Sequence, residues 1–331
     1  MNNPQPMPRA ARLQRVDSQE RSFALAQPGD PLLGSFQDLP GTWSGKGTGW
    51  NLIALPFAQG DSGFRLLMNQ YNEQLTFSLV DKGVPNRGIG GPDPDQKLVA
   101  LDYEQLIKQV AVEDEPASDL RGAVNPPAGI HHEPGLFLDL LNHTDGGPTI
   151  ARLATIPHGD SVTALGNATQ VDGPPTIPFI DARPIGAPTD PSEREKYLAP
   201  YDFFITNPFK GTVAAAGFPG FSPVGAQALL ELAIQGEEIT RTTQLEFAST
   251  DVVGGISNIP FVVKQANAAT MRSFFWIEER PNKPLQLQYL QIVVLEFFGR
   301  KDGMPGRIEW PHVSINTLEK ISDEAVADPD F

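Results

Sequence analysis

At 331 residues and 40% apolar content the chain has enough material for one large domain or two ordinary ones around a substantial core. A net charge of −15 excludes a nucleic-acid surface, and the absence of cysteine excludes disulfides, thiolate catalysis and Cys-based metal centres. No apolar run is long enough for a membrane helix, and 31 Gly with 32 Pro suit strands and turns better than helices.

Residues 1–36 are rich in Pro, Gln and Arg and lack the apolar core of a secretory signal, so they are expected to form a flexible arm on a cytoplasmic protein. From residue 39 the chain turns strand-like. Residues 39–56 form a Gly-punctuated strand, in which glycines mark bulges or close backbone approach. Strands are predicted at 63–70 and 74–81, followed by a turn-rich loop over 82–97. The stretch 98–112 fits a strand or a short helix, and 114–127 is again a loop. Strands are predicted at 129–141, 149–157 and 161–166. The Pro-rich stretch 170–200 is an excursion or linker.

One helix is predicted, over 223–235, with Pro near its start and Gly236 at its end. Further strands are expected at 239–249, 259–266, 271–279, 285–298 and 307–318, before an acidic tail at 321–331. The sum is an all-β chain: a single antiparallel barrel or sandwich of about ten strands with one short helix.

Five histidines carry most of the chemistry. In the last strand Trp310, His312, Ser314 and Asn316 share one face, while Val313, Ile315 and Thr317 share the other. In a barrel the mixed polar face would line a cavity and the β-branched face would pack under other parts of the chain. Periodicity alone leaves open which face is inside. In the 129–141 strand His131 lies with Glu133, Phe137 and Asp139, and His132 with Ile130 and Leu136. His158 ends the 149–157 strand on the parity of Ile156 and Ala154. Arg152 shares that parity, and a place in the pocket or a structural ion pair suits it equally. His143 falls in a turn. Each histidine taken alone is most simply a hydrogen-bonded core residue or a solvated one.

Four motifs in combination carry a resemblance. They are G-T-W-S-G-K-G-T-G (residues 41–49), H-H-E-P-G-L-F (131–137), I-A-R-L-A-T-I-P-H-G (150–159) and P-H-V-S-I-N-T-L-E-K (311–320). In order and strand context they resemble the nitrobindin family, heme-binding calycin or lipocalin-like β-barrels. They are more similar still to longer bacterial and fungal proteins labelled heme-binding or peroxidase-like. The resemblance covers about residues 37–165 and 285–320, and makes 82–128 and 167–275 insertions that could fill or cover the pocket. It implies heme b as cofactor and His312 as the iron ligand, with Ile156 and Trp310 beside the cofactor. It further implies His131 and His158 as distal residues able to steer peroxide, peroxynitrite or nitric oxide. Whether any reaction is catalysed stays open. The alternative is a heme-free barrel for a small lipophilic ligand, and a homodimer is allowed for.

Other motifs are set aside. The G-T-W-S-G-K run is one residue short of a phosphate-binding loop and precedes a strand. A non-heme metal held by His131, His132, Glu133 and His158 is a minor reading.

Overall fold

Between residues 101 and 107, side chains alternate between burial and exposure. Leu101, Tyr103, Gln105 and Ile107 are buried, whereas Asp102 and Glu104 are exposed. A period of two is the signature of a strand with one face in a core, and it resolves the strand-or-helix ambiguity of this stretch. The structure, a computed structural model, describes residues 5–6, 27–56, 63–92, 94–156, 158–188, 190–300, 304–328 and 331.

Twelve strands form among the described residues. They are β1 (Gln5–Pro6), β2 (Gly41–Pro56), β3 (Phe64–Asn86), β4 (Gln96–Glu115), β5 (Gly122–Leu140) and β6 (Ile150–Ala154). Then follow β7 (Ser161–Asp172), β8 (Arg241–Ala248), β9 (Gly255–Ser257), β10 (Asn267–Glu279), β11 (Gln286–Gly299) and β12 (Arg307–Ser322). Neighbours pair antiparallel from β2 through β8, then β8 with β10, β11 and β12 in turn, and β12 returns to β2. The result is a closed ring of ten strands, with β1 and β9 as short additions to β7. Closure removes the sheet edges that an open sheet of this size would expose.

The strand-rich expectation therefore holds at the level of the all-β class, with several corrections. The predicted strands 63–70 and 74–81 are one 23-residue strand, β3. The predicted loops 82–97 and 114–127 shrink to short connections, because β4 runs for 20 residues and β5 begins at Gly122. Most of the 82–128 stretch is thus barrel wall. The chain also contains more helix than one segment. The predicted 223–235 helix is confined to α2 (Ala228–Ile234). The Pro-rich linker contains α1 (Pro191–Thr206), and the strand expected at 259–266 is α3 (Pro260–Gln265). Both missed helices begin with Pro, which costs nothing at a first helical position. In α1, Tyr197, Tyr201 and Phe204 fall at helical spacing and are buried. No helix among the described residues is long and apolar enough to cross a membrane.

The glycines of β2 behave as their spacing suggests. Pairing with β3 slips between Gly45 and Gly49, a bulge. A Cβ on Gly49 would lie 2.1 Å from the Tyr71 ring, and one on Gly135 2.5 Å from Tyr103. These two glycines make room for the aromatic rings beneath the cavity described below.

The connection between β7 and β8 wraps the outside of the barrel. Trp50 on β2 packs against Phe209, Phe218 and Phe221 of this connection, with ring centroids 5.7–6.1 Å apart. Val313 and Ile315 on β12 are fully buried on that outer side, and Gln288 on β11 donates to the Leu230 carbonyl of α2. The β-branched face of β12 accordingly packs under added chain, and its polar face turns inward. Trp50→Ala is expected to cost about 3–5 kcal/mol. Limited proteolysis would then cut within 207–222 before the barrel itself unfolds.

Both ends of the chain are tied to this body. Residues 31–36, assigned above to the arm, form a 3-10 turn with Leu33 and Phe36 fully buried, and the Ser35 hydroxyl donates to Asp139. At the other end Asp328 accepts from Ser44 and its backbone N–H donates to Gln74. Of residues 1–26, only Gln5 and Pro6 lie within the described residues, paired with β7. The flexibility expected for the rest lies outside them.

Candidate functional site

Inside the barrel, one end is packed and the other is hollow. Phe77, Tyr103, Phe137, Phe247 and Phe275 form a chain of edge-on and tilted rings with centroids 5.0–6.2 Å apart, filling one end. Above them lies a cavity of about 230 Å³ open at the rim. Ile53, Ile107, Ile130 and Ile156 give it an apolar side. Asn51, Asn69, Gln105, Tyr289, Gln291 and Ser314 give it a polar one, and His131 and His312 face it from two strands. None of the lining residues comes from 167–275, so the long connection covers the barrel without filling it.

His312 is the most tightly defined group on the wall. Its Nδ1 is 2.8 Å from the Leu52 carbonyl oxygen, an acceptor, so Nδ1 carries the proton and donates. That leaves Nε2 as a lone pair with no hydrogen-bond partner among the described residues. Burial lowers the ring's pKa to about 4, against the opposing effect of the Leu52 hydrogen bond. The imidazole is therefore neutral and oriented at physiological pH, as a metal-ligating histidine requires.

The lowered pKa has a consequence for stability. In the unfolded chain the ring titrates near 6.5, so protonation favours unfolding between 6.5 and 4. The neutral ring's contribution is present above 6.5 and lost as pH falls through that window, to the extent of about 2–3 kcal/mol. Urea unfolding at pH 7, 5.5 and 4.5 should show this slope, and His312→Gln should flatten it.

His131 and His158 meet at the rim with ring centroids 4.8 Å apart. His131 Nε2 lies 3.2 Å from Glu133 Oε2 and donates to it, which turns Nδ1 into the free acceptor. His158 sits in the turn after β6, where its Nε2 accepts the His132 backbone N–H. Burial, with His131 alongside, lowers the His158 pKa below 6.5. His132 points outward and pairs with Glu104.

Glu133 anchors this arrangement from within. It is fully buried, bonded to Arg152 at 2.7 Å, and also accepts from the Tyr103 hydroxyl. Burial works to raise its pKa, but the Arg152 guanidinium, helped by His131 and Tyr103, holds the carboxyl below its usual value. Arg152 also donates to Gln291 at 2.6 Å and Ser273 at 3.2 Å. Between the two uses open for Arg152 in the sequence, the structural ion pair is the one present, and it fixes a cavity-lining amide.

Of the five residues singled out from the sequence, His312, His131 and Ile156 line the cavity and His158 stacks on its rim. Trp310 does not join them. It is fully buried between Phe64, Phe297, Tyr197 and Tyr201, away from the cavity. Sequence reasoning missed Gln105, Tyr289 and Gln291, each on the inward parity of a long strand. It also missed Glu73, which was read as part of a break between two strands. Among the described residues no group of three or more His, Asp or Glu could hold a metal ion, so the four-residue non-heme site does not form. Compared with protein-family models and with curated proteins, the chain matches none.

Proposed function

We propose that this barrel is of the calycin type suggested by its motifs and binds heme b at the cavity, with the His312 Nε2 as the iron's protein ligand. The observation that carries the reading is the His312 ring, neutral, pinned at Nδ1 by the Leu52 carbonyl, with its free nitrogen facing an open cavity. The donor chemistry fits heme: one imidazole bound, one position left open. The enclosed space of about 230 Å³ is below the range of about 300–1,000 Å³ usual for drug-sized ligands. It therefore admits only part of a large flat ligand, and the open rim supports the rest.

When bound, heme would supply an iron centre able to take up a small oxidant or nitrogen oxide. The chain's own residues prepare the surroundings. His131, oriented by Glu133, presents Nδ1 as a proton acceptor at the rim, with the tilted His158 ring beside it. Ile107, Ile130 and Ile156 supply apolar contact. A hemin titration tests the reading: the protein should shift and sharpen the Soret band with a one-to-one endpoint, and an unchanged spectrum would sink it.

A second reading, the same barrel without heme holding a small ligand, is favoured by the cavity's volume. Its polar wall suits an amphipathic molecule better than a purely lipophilic one. Peroxidase-like or peroxynitrite-directed turnover is an extension of the first reading, to be measured only after hemin binding.

A further inference from the structure

A second carboxyl lies under the cavity and has no Lys or Arg partner among the described residues. Glu73 on β3 is fully buried, and each of its contacts is a hydrogen-bond donor. Oε1 accepts from Gln105 Nε2 at 2.7 Å, and Oε2 accepts from the Tyr289 hydroxyl at 2.6 Å and from Asn316 Nδ2 at 2.8 Å. Burial pushes its pKa above 4.5, and the three hydrogen bonds offset this only in part. The titratable groups facing it are Tyr71 on its own strand, Tyr289 on β11 and, through space, His131 on β5. Glu133 on β5 has its own arginine and goes the opposite way. Two carboxyls driven apart by their environments are the usual mark of an acid and a base in one site.

Gln105 and Asn316 can donate to Glu73 but cannot pass a proton on, because an amide relays only by becoming an imidic acid. Tyr289 can. Its hydroxyl touches Glu73, it lines the cavity, and on its far side it lies 2.8 Å from the Tyr71 hydroxyl, which donates to the Ile315 carbonyl at 3.2 Å. When Glu73 is protonated its O–H donates to Tyr289, and the hydroxyl row points on to Ile315. When Glu73 is ionised the row reverses and Tyr289 donates back to it.

We infer that Glu73 and Tyr289 form a proton-delivery unit for the cavity, serving a small ligand that arrives as a conjugate base, such as an oxyanion or hydroxide. In the step, the Tyr289 O–H turns from Tyr71 to the ligand, and the bond breaks as its proton passes to the ligand's basic atom. The Glu73 O–H bond breaks as its proton replaces it on the phenol. The ligand gains one proton, Glu73 becomes a carboxylate held by Gln105, Asn316 and Tyr289, and the tyrosine ends unchanged. No redox change is involved. The inference rests on the cavity and not on heme, so it and the hemin titration fail separately.

Infrared spectroscopy on the full chain tests it directly. An infrared pH titration should show a carboxylic-acid C=O band below the pH at which Glu73 ionises, lost in Glu73→Gln and shifted when glutamate is carbon-13 labelled. On transfer to heavy water that band should exchange within the mixing time. Tyr289→Phe should slow the exchange by an order of magnitude or more, because only local opening then admits solvent. Tyr71→Phe, on the far side of the row, should leave it fast. Should Tyr289→Phe fail to fold, difluorotyrosine at position 289 keeps the ring, and its more acidic phenol should speed the exchange. A titration in which no glutamic-acid band assignable to Glu73 appears above pH 4.5 overturns the inference. So does wild-type exchange in Tyr289→Phe, or exchange unmoved by the fluorinated ring.

Discussion

Replacing His312 by alanine is expected to abolish the Soret shift of added hemin and to weaken its binding on the order of 100-fold or more, since loss of a mere orienting partner already costs about 10–100-fold. The expectation follows from geometry. His312 Nε2 is the sole imidazole nitrogen on the cavity wall whose ring is fixed by a backbone carbonyl. His131 is tied to Glu133 instead, and its orientation depends on a side-chain ion pair. His131→Ala should therefore leave the Soret shift in place while changing the affinity for exogenous ligands. The two variants together separate a ligand from a neighbour. Imidazole added to His312→Ala should restore part of the spectrum by occupying the vacated space. If hemin binds His312→Ala with an unchanged spectrum, the assignment of His312 fails, whatever else the barrel holds. Acid should mimic the alanine variant: hemin binding is expected to fall as pH drops toward 4, where Nε2 takes a proton.

Arg152→Met is expected to cost about 3–5 kcal/mol in urea unfolding at pH 7 because it leaves a buried carboxylate unpaired. The methionine keeps the apolar stem but not the guanidinium, so most of the loss is electrostatic. The double variant Arg152→Met/Glu133→Gln should recover much of it, since neither member is then charged. Its sign with pH is definite. Glu133 titrates below 4.5 in the folded protein, so the pair stabilises the fold at neutral pH and the contribution is lost as pH falls through that lower value. In Arg152→Met the dependence inverts, because a buried, unpaired carboxyl is easier to bury with a proton on. A stability maximum displaced to acid pH would be the observable. His131 loses its fixed partner in the same variant, so rim chemistry and stability should fail together.

The two carboxyls show how far sequence reading reached. Glu133 was visible, because H-x-E-P-G placed it on the parity of His131 within one strand. Its arginine was ambiguous: parity put Arg152 on the inward side, but nothing local says which carboxylate it meets once β5 and β6 pair. Glu73 was missed outright. The run from Tyr71 to Leu79 alternates Tyr, Glu, Leu, Phe and Leu at every second position, which was the available signal. The polar residues between them suggested a turn, and the strand was cut in two. A charged residue at an inward strand position reads as an error in the pattern until its donors are known, and these come from β4, β11 and β12. Trp310 failed for a related reason. Parity placed it with His312, but α1, hidden in a Pro-rich stretch, brings Tyr197 and Tyr201 against it.

The sequence by itself determined the all-β class, the division of the last strand into two faces and the strand positions of His131 and His312. All of these follow from a period of two within one chain segment. Tertiary structure decided what those positions meet. Ring closure between β12 and β2 sets the Leu52 carbonyl against His312, so a histidine that alone read as core becomes an oriented, neutral donor on a cavity. Pairing of β5 with β6 gives one buried carboxyl, Glu133, an arginine, while Glu73 on β3 meets only neutral donors. Periodicity reports which way a side chain points, while charge, tautomer and space depend on groups that only folding brings within hydrogen-bonding distance.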